Sequence, residues 1–127
     1  MAYSGKVADH FENPRNVGAF DASDPRVGTG MIGTPAQGDV IRLQIRVGES
    51  GIIEEARFKT YGCGAAIAAS SLVTEWLRGK TLDDAVAIDN AAIARELQLD
   101  SVKLYCALLA EDAIAAAVRN YRDKHRR

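Results

Sequence analysis

The chain has only two cysteines, Cys63 and Cys106, in 127 residues. That is too few for a disulfide framework, and they do not form a CxxC pair, so spacing alone gives no metal signature. No apolar run is long enough to span a bilayer. The opening Met1-Ala2-Tyr3-Ser4-Gly5-Lys6 lacks the apolar stretch of a secretory leader. The expected location is therefore a reducing cytoplasm, with the thiols reduced or metal-bound. The formal net charge is −1, so no strong field points to nucleic acid. There are no internal repeats and no low-complexity segment. The two histidines, His10 and His125, sit near the ends and are expected to be exposed or capping residues, not ligands. No nucleophile–base pair is visible, which argues against a hydrolase or transferase.

What is present is enough for one folded domain over 1–127. The chain is 47% hydrophobic and 26% charged, so it can bury a core without staples. Val7, Ala8 and Phe11 recur at helical spacing behind a possible cap, Ser4, and Asn13-Pro14 ends that helix. A loop runs through Asp21, Asp24 and Pro25. The glycine-rich stretch 27–34 reads as a short edge strand, and Pro35-Ala36-Gln37-Gly38-Asp39 as a turn. From Val40 to Val47, Ile41, Leu43, Ile45 and Val47 alternate with Arg42, Gln44 and Arg46, the pattern of a half-buried antiparallel strand. Gly48-Glu49-Ser50-Gly51 closes a hairpin onto residues 52–61, with a bulge expected near Glu54-Glu55.

Beyond Cys63 the period changes. Ile67, Leu72, Val73, Trp76 and Leu77 share a helical face, and Gly79 ends it. Thr81 with Asp84 resembles a capping box. Short helices are expected around 82–87 and 91–96. Asp100 or Ser101 then caps the longest helix, about 102–121, whose apolar face is read as Leu104, Leu108, Leu109, Ala113, Ile114, Ala117 and Val118. The basic tail 122–127 complements the helix dipole and reads as a frayed, solvated end. The expected fold class is α+β, a three-stranded antiparallel sheet packed against helices with a long C-terminal helix.

Lys59-Thr60-Tyr61-Gly62-Cys63-Gly64-Ala65-Ala66-Ile67 is the stretch that carries chemistry. A thiol stands between two glycines where a strand gives way to a helix. The N–H groups of that helix start favour a thiolate. The plain structural alternative is a small buried thiol in a turn. Cys106 is again near a helix start, with Lys103 close by, and both features favour a thiolate. Asp39, in a glycine-containing turn before a strand, could swing toward a metal, although Asp in a turn more often bonds nearby backbone. Lys59, Glu111 and Asp112 are expected on solvated faces.

Taken together these segments resemble the IscU/NifU-type iron–sulfur cluster scaffold family over nearly the whole chain. The residues that carry the likeness are Tyr3-Ser4-Gly5-Lys6-Val7, His10-Phe11-Glu12-Asn13-Pro14-Arg15-Asn16-Val17-Gly18, Phe58 through Gly64, Ser70 through Trp76, and Ala110-Glu111-Asp112-Ala113-Ile114. The departures fall at the chemistry. Where the family has Cys-Gly-Asp, this chain has Gln37-Gly38-Asp39. Its His-Cys is Tyr105-Cys106 here, and its Leu-Pro-Pro-Val-Lys is Leu99-Asp100-Ser101-Val102-Lys103. Gln37 offers a neutral amide oxygen and Tyr105 a phenol, both poor donors for a cluster iron that wants thiolate sulfur.

The resemblance implies a scaffold or carrier, not an enzyme. It would accept sulfur from a cysteine desulfurase at Cys106 and hold iron or a [2Fe–2S] cluster on Cys63 and Cys106, with Asp39 as a labile third ligand. Two chains in a homodimer would pool four thiolates. Other implied partners are a ferredoxin and an ATP-driven heat-shock chaperone with its J-protein, the chaperone weakened by the two missing prolines. Nucleic acid and membrane are not implied. Three other readings stay open: an assembly-incompetent paralogue that binds or regulates the desulfurase, a zinc site built from Asp39, Cys63 and Cys106, and a fold relic with two structural thiols.

Overall fold

The computed structural model describes residues 4–34, 36 and 38–125. Tyr3, Pro35, Gln37 and the last two arginines of the tail lie outside the described residues. In chain order the elements are α1 (Gly5–Glu12), β1 (Val27–Thr34), β2 (Asp39–Val47), β3 (Ile53–Tyr61), α2 (Gly64–Leu77), α3 (Leu82–Val86), α4 (Asn90–Leu97), a 3-10 turn (Ser101–Lys103) and α5 (Leu104–Lys124). The strands form one antiparallel sheet in the order β1-β2-β3, as expected. Among the described residues no helix is long and apolar enough to cross a membrane.

Alternation in β2 aims Ile41, Leu43, Ile45 and Val47 into the core, each 1% exposed or less. The expected bulge falls on β3: Arg46 pairs with Glu55 but Val47 pairs with Ile53, which leaves Glu54 unpaired. That extra residue lets Ile53 and Ala56, three apart, both face inward. The supposedly solvated face of β2 is covered in part. Gln44 is buried, accepting from Phe20 N–H at 2.8 Å and donating to Thr29 Oγ1 at 2.9 Å. Phe20 in turn stacks under the Arg46 and Arg57 guanidiniums. The outer edge of β3 is closed by the segment after α1, where Phe58 N–H donates to the Asn16 carbonyl and Gly18 N–H to the Phe58 carbonyl, both at 3.0 Å.

The glycines of β1 have a packing role. A methyl on Gly28 would strike the Ala117 carbonyl and Tyr121. One on Gly30 would strike the Ala113 carbonyl and the Ala117 amide. The bare strand lets the α5 backbone lie directly on the sheet, and Ala110, Ala113 and Ala117 continue that close fit. The helix begins two residues later than expected, after the 3-10 turn, and its first turns differ in phase, while Ala113, Ile114, Ala117 and Val118 are buried as expected. Leu104 and Leu108 are 46% and 47% exposed, while Cys106, Ala107 and Ala110 take the buried face. The tail is not wholly frayed either. Lys124 Nζ donates to the carbonyls of Ala22, Asp24 and Val27, and Arg122 pairs with Asp83.

Ser4, Thr81 and Asp89 cap α1, α3 and α4 through side-chain oxygens. α1 differs from expectation in its buried face: Phe11 is 44% exposed, whereas Val7 and His10 are buried. His10 is therefore neither exposed nor a cap. Its Nδ1 hydrogen-bonds with Ser71 Oγ at 2.8 Å and its Nε2 lies 3.6 Å from Glu75. At the other end His125 is exposed and its Nε2 meets the Pro25 carbonyl at 2.8 Å.

Two outcomes are expected. Gly30→Ala lowers the unfolding free energy by about 2–3 kcal/mol in urea, because α5 must lift from β1. Gly5→Ala, whose methyl meets nothing within 4 Å, serves as the unaffected control. Burial, helped by the Arg15 charge, holds the His10 pKa below its ordinary 6.5. The unfolded ring then binds a proton that the folded ring refuses. The stability contributed by the neutral ring is complete above 6.5 and is lost as pH falls below it. Unfolding free energy should fall more steeply between about pH 7 and about pH 5.5 in the parent chain than in His10→Gln. Equal slopes would contradict this.

Candidate functional site

Asp39, Cys63, Tyr105 and Cys106 meet at one end of the sheet. Asp39 opens β2, Cys63 is the N-cap of α2, and Tyr105 and Cys106 are the second and third residues of α5. The topology makes this meeting necessary. β2 and β3 are antiparallel, so the start of β2 lies beside the end of β3, with Val40 opposite Tyr61. The chain then turns at Gly62 and Cys63 into α2. Gly62 has φ +145°, and a methyl there would collide with the Asp39 carboxylate. Glycine is thus required at this position for Asp39 to reach the turn. Thr60 and Ser70, joined at 2.7 Å, tie the end of β3 to α2.

Among the described residues the Asp39 carboxylate makes two hydrogen bonds. Oδ1 accepts from the Cys63 backbone N–H at 2.9 Å, and Oδ2 accepts from the Tyr105 hydroxyl at 2.9 Å. The Tyr105 oxygen also lies 3.7 Å from Cys63 Sγ. The two sulfurs are 3.6 Å apart and unbonded. Cys63 is half-buried, and its side chain makes no capping bond to α2. Cys106 is fully buried against Ala65 and Ala66, with Leu99 over them. The two alanines leave room for the first turn of α5 to press its thiol onto the start of α2.

Electrostatics departs from the sequence reading at Cys106. Burial, reinforced by the adjacent Cys63, pushes its thiol up to about 12. In the closed chain the helix start and Lys103 do not prevail, because desolvation of a fully buried sulfur outweighs them. The Tyr105 phenol is pushed well above its ordinary value, first by its bond to the Asp39 carboxylate and then by Cys63. It therefore keeps its proton at neutral pH and serves as a hydrogen-bond donor to Asp39.

The sequence had named all four residues, but not the bond from Tyr105 to Asp39, which links positions 66 apart. No local signal could have found it. Gln37 lies outside the described residues. Lys59 and Asp112 are exposed as expected, whereas Glu111 accepts from the Asn90 backbone and amide at the start of α4. A cavity of about 350 Å³ adjoins the site, lined by Asp39, Tyr105, Leu108, Leu109 and Asp112.

Chemically, the arrangement offers a dithiol. Two sulfurs on one tetrahedral ion, each about 2.3 Å from it, stand about 3.8 Å apart, close to the separation seen here. Asp39 is near, but both of its oxygens are engaged. Among the described residues no group of three His, Cys, Asp or Glu side chains is arranged to hold a metal ion as the chain stands.

Comparison with known proteins gives a consistent result. The family model described as the NifU-like N terminal domain matches residues 2–127. The iron-sulfur cluster assembly scaffold protein IscU of Azotobacter vinelandii is 67% identical over 124 residues, covering 98% of this chain and 97% of that protein. Its counterpart from Escherichia coli (strain K12) is 65% identical, with the same coverage. A crystal structure of the N-terminal part of a nitrogen-fixing NifU-like protein from Brucella abortus superimposes with a TM-score of 0.70, over 95% of this chain and 94% of that one. At 17% identity that likeness concerns the fold. Matched from residue 2 to residue 127, the chain belongs to the NifU-like N-terminal domain family.

Proposed function

We propose that the chain is an iron–sulfur cluster assembly scaffold, a carrier whose cargo is iron or a [2Fe–2S] cluster held on Cys63 and Cys106. The observation that carries this reading is the dithiol itself: two reduced cysteines from distant parts of the chain, 3.6 Å apart at the junction of two helix starts. The names of the relatives at 67% and 65% identity support it.

Sulfur arrives as the persulfide of a cysteine desulfurase. The Cys106 thiol loses its proton and its sulfur attacks the outer, sulfane sulfur. The desulfurase S–S bond breaks, its electron pair leaves on the desulfurase sulfur, which takes up the proton that Cys106 gave up, and a new S–S bond forms on Cys106. No external oxidant is needed. Because Cys106 is fully buried in the closed chain, the first turn of α5 must open for this attack. Reducing the sulfane sulfur to sulfide takes two electrons, the part proposed for a ferredoxin. Cys63 is the partner ligand and Asp39 a labile oxygen donor. Four thiolates are the common set for a cluster, and two chains sharing one cluster in a homodimer would provide them. Handling by an ATP-driven chaperone and its J-protein is weakened by Asp100 and Ser101, which replace two prolines. A second reading is favoured by the Tyr105–Asp39 bond, which occupies the third donor. On that reading the chain is an assembly-incompetent paralogue that binds the desulfurase; a zinc-binding form of the fold would need the phenol released from Asp39.

Anaerobic reconstitution with iron, cysteine and a cysteine desulfurase separates these readings. A scaffold gives a stable visible chromophore that Cys63→Ala and Cys106→Ala each abolish, and about half a cluster per chain marks the shared dimer. Persulfide labelling should disappear in Cys106→Ser. No chromophore, with zinc or nothing bound, overturns the scaffold reading in favour of the second.

A further inference from the structure

We infer that Tyr105 is a positioning residue that latches the site shut and sets its metal selectivity. While its hydroxyl is on Asp39, the chain presents a two-sulfur site, and only its release adds the carboxylate oxygen. This rests on the assignment of Asp39, Cys63 and Cys106 as donors, but not on cluster assembly taking place.

The bonding at the site carries the inference. Asp39 is 6% exposed, and among the described residues its carboxylate has two donors, the Cys63 amide and the Tyr105 hydroxyl. The amide bond belongs to the turn backbone and persists in any conformation that keeps β2 against the start of α2. The phenol bond comes from a side chain, and so it is the one that can let go. The same oxygen, 3.7 Å from Cys63 Sγ, stands on the carboxylate side of the more accessible thiol, where an ion bound to both donors would have to sit.

The element that bears Tyr105 is lightly anchored. The 3-10 turn before it buries no residue, and Lys103 caps α5 without a side-chain bond. Val102, Leu104 and Tyr105 are 62%, 46% and 43% exposed. The cavity bounded by Asp39, Tyr105, Leu108, Leu109 and Asp112 adjoins the bond on its α5 side. Releasing the phenol therefore gives up its bond to Asp39 and its 3.7 Å contact with Cys63 Sγ, and disturbs little of the core.

The consequence is a preference among ions. A soft ion content with two sulfurs does not need the phenol released from Asp39. An ion of intermediate hardness that gains from an oxygen donor must first displace the phenol from a charged acceptor, which lowers its affinity by about 10- to 100-fold.

Cobalt(II) is a suitable probe, because its visible bands report tetrahedral thiolate binding directly. Reduced protein is titrated anaerobically as the parent chain, Tyr105→Phe, Asp39→Asn and the double variant. Tyr105→Phe should bind Co(II) about 10-fold or more tightly than the parent. In the Asp39→Asn background the same substitution should have no effect, a dependence that a merely structural role for Tyr105 would not produce. Without metal, iodoacetamide should alkylate Cys63 several-fold faster in Tyr105→Phe. Tyr105→Leu is a second test should the first variant melt below the parent. Unchanged or weaker Co(II) binding in a variant that melts like the parent, an equal gain in both Asp39 backgrounds, or no Co(II) binding by any chain overturns the inference. Failure of cluster reconstitution with these results intact would count against the proposed function alone.

Discussion

The Asp39 carboxylate accepts one hydrogen bond from the Cys63 amide and one from the Tyr105 hydroxyl, each at 2.9 Å. Through these two bonds it joins the first residue of β2, the cap of α2 and the first turn of α5. A carboxylate this buried must be satisfied, and bonds to a charged acceptor are the stronger kind. The requirement reaches back into the sequence. Gly62 has to be glycine because a side chain would take the space of the carboxylate, and the strand-to-helix turn that exposes Cys63 is the turn that Asp39 holds. One buried carboxyl group therefore fixes the position of both thiols without touching either sulfur.

The rigidity behind the site comes from small residues. Gly28 and Gly30 let α5 lie on β1, while Ala65 and Ala66 let its first turn meet α2. Close backbone approach on two sides fixes the axis of α5, and the axis fixes where Cys106 sits. Larger side chains at those positions would push the helix outward and open the 3.6 Å sulfur gap. In this fold the site is thus made by removing bulk. That explains why the stretches that matter most, 27–34 and 62–69, look unremarkable by hydrophobicity alone.

Much of the architecture was legible for identifiable reasons. The period-two pattern of β2 is uninterrupted, so its core face was clear. The mismatch at Glu54-Glu55 marked the bulge, and Ser4 and Thr81 are caps whose side chains bond as their types suggest. The failures share a cause: each depends on what a distant segment covers. Gln44 and His10 are buried because a loop and α2 close over them, and nothing near them in sequence announces it. In α5 the expected Ala113, Ile114, Ala117 and Val118 are buried, but in the first turns Cys106, Ala107 and Ala110, not Leu104 and Leu108, face inward. The thiolate expected at Cys106 failed the same way, because a helix start favours the anion only while water or a partner charge still reaches the sulfur. At this position Ala65, Ala66 and Leu99 exclude the water.

The same geometry bears on why two donors suffice for a carrier. A site with four preformed donors would hold its cargo tightly and release it slowly, whereas a carrier must do both within one cycle. On the proposed reading, a pair of thiols 3.6 Å apart would secure one ion with soft donors and leave the remaining positions to a second chain, to incoming sulfide or to the recipient. Asp39 would tip that balance because a carboxylate oxygen is a weaker partner for a soft ion than sulfur, and on the proposed latch Tyr105 would control whether it is available. Holding and releasing would then differ by the release of one side chain at the edge of the core, a far smaller change than refolding the sheet or moving α5 off its glycine strand.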